Sequence, residues 1–244
     1  MIYALEHHDR LLTLWREQGL TGISLAHVDF HDDLRGLLID RRKRTTYPIG
    51  ALARGEAAPD AGNFLAHAVL EGRIDSIRWI HGPIGGRAWD MGIVRYETDL
   101  AALPHRLRQR LSRHPEQPLA FEELLTTDWT GPRPGERLSI DWDCFASNLL
   151  DPAGIEQRVS QFLERLGTRI PTDTYVAYSP EYSHPTLPAY KALLRQLAQR
   201  FEQQLEWLDP GLAEGRFHPA GVETAAPKNL WPRLILLLRR NGIY

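Results

Sequence analysis

A single cysteine, Cys144, stands in a chain of 244 residues. It has no partner for an intrachain disulfide, and no cysteine cluster is present to build a structural zinc site, a pattern that fits a reducing compartment. An excess of one charge is equally lacking: 29 Lys and Arg face 31 Asp and Glu, for a formal net charge of -2. Proteins that hold nucleic acid or an anionic membrane through their overall field are strongly basic, so neither is expected as a partner. No apolar run approaches the ~18 residues that a membrane-spanning helix needs. The opening Met1-Ile2-Tyr3-Ala4-Leu5-Glu6 has neither the basic start nor the small-residue cleavage site of a secretory signal. The expectation is a cytoplasmic protein. Internal repeats and low-complexity tracts are also missing.

The chain is 43% hydrophobic and 25% charged, the balance of an ordinary globular protein, and its length suits one domain spanning residues 1–244. Short apolar runs at residues 1–5, 23–28, 74–81, 138–140 and 174–178 read as strands buried on both faces, because they lack the polar alternation of a half-exposed strand. The spacing of Leu11, Leu12, Leu14 and Trp15 before Gly19 predicts a helix. Residues 63–71 before Gly72 and residues 187–207 carry similar signals. Residues 41–62 read as a loop that opens on the basic patch Arg41-Arg42-Lys43-Arg44, residues 103–113 as a basic helix, and residues 230–238 as a closing strand or short helix. Strands alternating with helices predict an α/β fold with a mostly parallel, doubly wound sheet flanked by helices.

Four of the apolar runs end in acidic or imidazole groups: Glu6-His7-His8, Asp29-Phe30-His31-Asp32-Asp33, Asp141-Trp142-Asp143, and Glu181. The carboxyl ends of strands in such sheets converge on the ligand crevice, so these residues are expected at one rim. In an extended chain alternate side chains point the same way, which groups Asp29 with His31 and Asp33, and Asp141 with Asp143. A lone Asp-x-Asp is more often a helix cap or turn. Here two such motifs and a histidine each follow directly on a strand. Four adjoining carboxylates raise one another's pKa unless cations compensate them, and two divalent ions match their charge. Oxygen and imidazole donors without thiolate suit manganese, iron or zinc over calcium. Carboxylates bridging two such ions hold them roughly 3.5–4 Å apart, an arrangement that activates water for hydrolysis. Cys144 reads as a small buried residue with no basic partner.

Asp29-Phe30-His31-Asp32-Asp33 resembles the Asp-Ala-His-x-Asp motif of the arginase and agmatinase family, and Ser139-Ile140-Asp141-Trp142-Asp143 its Ser-Phe-Asp-x-Asp motif. Glu6-His7-His8 is a shorter counterpart of Gly-Gly-Asp-His-Ser. Overall the chain resembles the peptide arginases, which convert arginine residues of ribosomally made peptides to ornithine. The resemblance implies an arginase-like fold and two manganese ions, with iron or zinc as alternatives. His7, Asp29, Asp33 and Asp141 would hold one ion, and His31, Asp29, Asp141 and Asp143 the other, with Asp29 and Asp141 bridging. His8 competes for the place of His7. The resemblance also puts Glu181 where these enzymes hold the substrate guanidinium, which a carboxylate can engage through two parallel hydrogen bonds. The alternative for Glu181 is an acid favoured by the helix that follows. His81 and His184, both near strand ends, are the candidates for a proton shuttle. The implied partner is an arginine-containing precursor peptide, and a homo-oligomer would match the family's habit. Two competing activities are a ureohydrolase acting on a small guanidino compound and a zinc-dependent deacetylase, a related class that uses one metal. Free-arginine enzymes follow the Asp-x-His-x-Asp motif with a polar loop for the α-ammonium and α-carboxylate, whereas here Leu34-Arg35-Gly36-Leu37-Leu38 follows Asp33.

Overall fold

The first apolar run forms strand β1 (Ile2–Leu5) in the computed structural model of the protein, which describes residues 1–40, 43–82, 105–106, 109, 116–148 and 150–217. The chain continues through α1 (Arg10–Glu17), β2 (Ile23–Val28), β3 (Leu37–Asp40), β4 (Thr45–Pro48), α2 (Gly50–Ala53), α3 (Phe64–Leu70) and β5 (Ile74–His81). After β6 (Gln117–Pro118) and β7 (Ala120–Leu125) come β8 (Arg137–Asp141), α4 (Asp143–Ala146) and α5 (Ile155–Arg165). The last described elements are β9 (Thr174–Ala177), α6 (Leu187–Phe201), β10 (Leu205–Trp207) and α7 (Pro210–Glu214).

Among the described residues seven strands make one sheet in the order β10-β1-β9-β8-β2-β5-β7, and every neighbouring pair in it is parallel. Because the strands all run one way, their carboxyl ends share one rim. The chain passes from β1 to β2 across the places that β9 and β8 later fill, so these four strands lie side by side. Crevices in open parallel sheets form where strand order reverses in this manner.

Both faces of the sheet are covered. Leu11, Leu12 and Trp15 of α1 and Phe64, Leu65 and Val69 of α3 pack with Leu5, Leu25, Ile77 and Tyr175 on one face. Ile155, Val159, Phe162 and Leu163 of α5, spaced at i, i+4, i+7 and i+8, pack on the other with Tyr190, Leu193, Leu194 and Leu197 of α6 against Ala26, Val28, Ile140 and Val176. Alternation along β2 therefore sends Leu25 and the residues of the same parity toward α1 and α3. No helix among the described residues is long and apolar enough to cross a membrane.

Two sequence readings are corrected. Residues 41–62 are not simply a loop: β3 and β4 form an antiparallel hairpin that pairs Asp40 with Thr45, and α2 follows. The Asp40 carboxylate accepts the Lys43 N–H at 2.9 Å and Arg44 takes a positive φ of 57°, so these last two residues of the basic patch turn the chain into β4. The helix over residues 187–207 stops at Phe201, because Glu202 adopts a left-handed conformation at φ 51°. Leu205–Trp207 then pairs in parallel with Ile2, Tyr3 and Ala4 as an edge strand. The basic helix over residues 103–113 falls almost wholly outside the described residues, and residues 230–238 fall wholly outside them.

Candidate metal centre

Two backbone bonds, and a third to a side chain, fix the crevice at the ends of β1 and β9. The N–H of Tyr178 donates to the Leu5 carbonyl at 3.0 Å and that of Ser179 to the Glu6 carbonyl at 2.8 Å, while the Glu6 N–H donates to the Asp209 carboxylate at 2.8 Å. The chain then turns into α1, with the Arg10 and Leu11 N–H groups donating back to the carbonyls of His7 and His8. Successive side chains in a turn diverge. His8 swings under the rim and is buried, and His7 stays at its mouth.

The turn parts the two histidines of the N-terminal motif. His8, not His7, joins the carboxylates: its Nδ1 lies 2.6 Å from Asp141 Oδ2, 3.3 Å from Asp29 Oδ2 and 3.4 Å from Asp33 Oδ2. His7 instead lies between two glutamates, with Nδ1 3.0 Å from Glu181 Oε1 and Nε2 3.5 Å from Glu6 Oε1.

Turns, and not an extended chain, bring Asp29, His31 and Asp33 to the same rim. The strand ends at Val28. The His31 N–H donates to Asp29 Oδ1 at 2.7 Å, the Leu34 N–H to Asp32 Oδ1 at 3.1 Å, and Asp33 takes φ 52°, a left-handed conformation that aspartate tolerates better than most residues. His31 Nδ1 approaches Asp143 Oδ2 at 3.1 Å and Asp29 Oδ1 at 3.8 Å. Asp141 ends β8, but Asp143 is the first residue of α4, so this pair is also not extended. Ser179, at φ 45°, donates its hydroxyl to Asp141 Oδ2 at 2.9 Å.

Two triads result, His8-Asp29-Asp33 and Asp29-His31-Asp143, whose donor atoms are close enough to surround one ion each. Asp29 belongs to both. The chemistry of the donor set suits a cation: Nδ1 and Nε2 of His8 and the Oδ2 atoms of Asp29, Asp33 and Asp143 are buried without a hydrogen-bond partner. Buried polar atoms in folded proteins are nearly always satisfied, so a cluster of orphaned ligating atoms fits divalent metal. Nitrogen and oxygen donors without sulfur match manganese, iron or zinc.

Electrostatics within the cluster follow from burial and mutual charge. Burial, reinforced by Asp29, pushes Asp33 up to about 7, while burial and Asp141 push Asp143 well above the usual carboxylate range. Burial would raise Asp29 too, but the charges of His27 and His8 beside it outweigh it and hold Asp29 well below. Burial disfavours protonated His31, yet Asp143 and Asp29 raise it to about 10. His8 is likewise raised well above its ordinary value because Asp33 and Asp141 overcome its burial. These values describe the cluster without a cation.

Glu181 sits beyond β9 at the mouth, 28% exposed, with His7 on it. Burial raises its pKa, but the His7 hydrogen bond prevails and lowers it. It is therefore an ionised carboxylate facing the crevice. The two proposed proton carriers are otherwise engaged. His81 Nε2 lies 2.9 Å from Glu123 Oε1, and His184 Nε2 lies 2.8 Å from the Leu150 carbonyl, a bond that requires the proton on that nitrogen. Neither joins the two triads. Cys144 is buried, and burial together with Asp143 pushes its thiol up, away from nucleophilic use. Sequence reasoning missed His27, two residues before Asp29 and fully buried with it. The alternation of β2 was the available signal, since it puts both side chains on one face.

No protein-family model matches the chain, and no curated protein matches it. Among solved structures the chain is similar to proclavaminate amidino hydrolase from Streptomyces clavuligerus, at 14% identity and a TM-score of 0.45. The match covers 82% of this chain and 63% of that one, so the chain spans less than two thirds of that structure's length.

Proposed function

We propose that the protein is a binuclear metallohydrolase that cleaves the guanidinium of arginine residues in a peptide, giving peptidyl ornithine and urea. The observation that carries this reading is the sharing of Asp29 by two adjoining His/Asp triads, both rich in buried, unpartnered ligating atoms. One ion would be held by His8, Asp29, Asp33 and Asp141, the other by Asp29, His31, Asp141 and Asp143. Such a pair of divalent ions supplies Lewis acidity and activates water at neutral pH. The protein's own part is to hold the substrate. Glu181, ionised and at the mouth, accepts two hydrogen bonds from the guanidinium and aims its carbon at the metal centre. Purified protein supplied with manganese is expected to retain about two ions per chain and to release urea from an arginine-containing peptide, leaving the backbone intact by mass spectrometry. One tightly held zinc and removal of an acyl group from lysine would instead indicate the deacetylase reading.

The Glu181→Gln variant keeps the shape of the side chain and removes its charge. Turnover is expected to fall on the order of 10²-fold, while metal content stays at the wild-type level, because the lost interaction is with substrate alone. Full activity in this variant would dismiss the guanidinium role.

Metal uptake should release protons. At neutral pH the cluster without a cation carries protonated His31, raised to about 10, and a partly protonated Asp33, raised to about 7. Ligands bind metal only when deprotonated. Apparent manganese affinity is therefore expected to rise with pH from 6 to 9, and calorimetry in buffers of different ionisation enthalpy should show net proton release at pH 7. Affinity that is flat across this range would contradict the ligand assignment.

A further inference from the structure

One imidazole in the crevice is unused by the reading above. His27 lies on β2, on the face covered by α3, with its ring at an angle to that of Phe64. It is fully buried, and neither ring nitrogen has a hydrogen-bond partner. In a parallel sheet covered on both faces this position otherwise takes an apolar side chain, and an unpartnered buried polar group is destabilising. A ring nitrogen retained there requires a compensating interaction.

The Nε2 atom of His27 is 3.2 Å from Asp29 Oδ2 and 3.3 Å from Asp33 Oδ2. These are the same two oxygens that His8 Nδ1 approaches at 3.3 and 3.4 Å. Two nitrogens thus face one pair of oxygens at nearly equal distances, and none of the four atoms completes a hydrogen bond. A simple ion pair would align the N–H with one carboxylate oxygen. Donor atoms around a common ion at ~2.1 Å must stand roughly 3 Å apart when they subtend right angles, and they need not point at one another. The distances from His27 Nε2 to these two oxygens match that condition as well as those from His8 Nδ1 do.

We propose that His27 is a nitrogen ligand of the first metal position, joining His8, Asp29 and Asp33. This rests on the metallohydrolase reading only in requiring that an ion binds there. A second imidazole gives the first position more nitrogen than the second, which has His31 alone, and so makes the two ions unequal in affinity and in metal preference.

The test compares wild type with His27→Phe, which keeps a ring of similar shape, and His27→Gln, which keeps a polar head. Each protein is titrated with manganese(II) chloride, and separately with cobalt(II) chloride while the visible absorption is recorded. Wild type is expected to bind two ions. His27→Phe is expected to keep one at wild-type affinity and to bind the other more than ~100-fold more weakly, beyond the 10–100-fold typical of losing an outer partner. His27→Gln, with a different ligating atom, should shift the cobalt bands of the weakened position. Two ions at wild-type affinity in both variants would overturn the proposal. So would weakened binding with unchanged cobalt bands in His27→Gln, which would make His27 a positioning residue. Wild type that binds no ion would defeat the metallohydrolase reading itself. Thermal unfolding of each metal-free protein establishes folding, and if His27→Phe does not fold, the affinity and band shift of His27→Gln decide.

Discussion

Replacing Asp29 with alanine is expected to abolish turnover and remove both metal ions, a larger effect than any other single substitution in the crevice. Its Oδ2 faces His8 and His27, and its Oδ1 faces His31, so one carboxylate serves both triads. A ligand to one ion costs one ion; a shared ligand costs two. The loss of activity should exceed the ~100-fold that removal of an outer partner causes. Truncation also leaves His8 and His27 buried beside an unfilled space, and breaking a buried charge pair by removing one partner costs about 3–5 kcal/mol. Asp29→Asn, which keeps the volume and the acceptor for the His31 N–H, separates folding from ligation: it should fold, and still bind neither ion tightly. The neighbour Asp32 is the control. Its carboxylate accepts the Leu34 N–H, so Asp32→Ala should lose only about 0.5–1.5 kcal/mol of stability and keep both ions. Two ions per chain in Asp29→Asn, or loss of both in Asp32→Ala, would show the register of the motif to be wrong. Metal analysis and thermal unfolding together read both outcomes.

The parallel sheet was legible because burial on both faces leaves a strong signal: β1, β2, β5, β8 and β9 all coincide with short apolar runs. The edge elements were not. Leu205–Trp207 continues the helical spacing of α6, and only the left-handed Glu202 separates them, a conformation that a glutamate does not announce. The hairpin of β3 and β4 was hidden because the sequence between them, Arg41-Arg42-Lys43-Arg44, lacks the glycine or asparagine pair that marks a tight turn. At the site, the aspartate motifs could be read because they follow strands directly. The choice between His7 and His8 could not, since it depends on how the chain bends from β1 into α1, and adjacent residues at a bend part company. His27 was readable in principle. Strand alternation placed it beside Asp29, but a histidine within an apolar run looks like a part of the strand.

Free arginine is expected to be turned over ~10–100-fold more slowly than an arginine inside a peptide at equal concentration. A free amino acid brings an ammonium and a carboxylate beside its side chain, and an enzyme selective for it must satisfy both. The segment after Asp33 was the place to look for such groups. Its leucines do not line an apolar rim: Leu34, Leu37 and Leu38 are buried, and Leu34 and Leu37 pack into the core beneath α3. Arg35, which could have bound a carboxylate, pairs with Asp60, and its backbone N–H donates to Gly62. This segment thus folds inward and leads into β3, leaving no free charge of its own at the crevice. A desolvated donor or acceptor left without a partner costs about 1–3 kcal/mol, and more when charged, while 1.4 kcal/mol is a factor of ten in rate or affinity. A peptidyl arginine presents amides at those positions and avoids the penalty, so the discrimination should appear mainly in kcat/KM and should vanish when the arginine is blocked at both ends. Acetyl-arginine amide is the deciding substrate: it should behave like the peptide. If free arginine or agmatine is hydrolysed as fast as the blocked form, the preference for peptide is refuted, while the binuclear centre, tested by metal content, would stand.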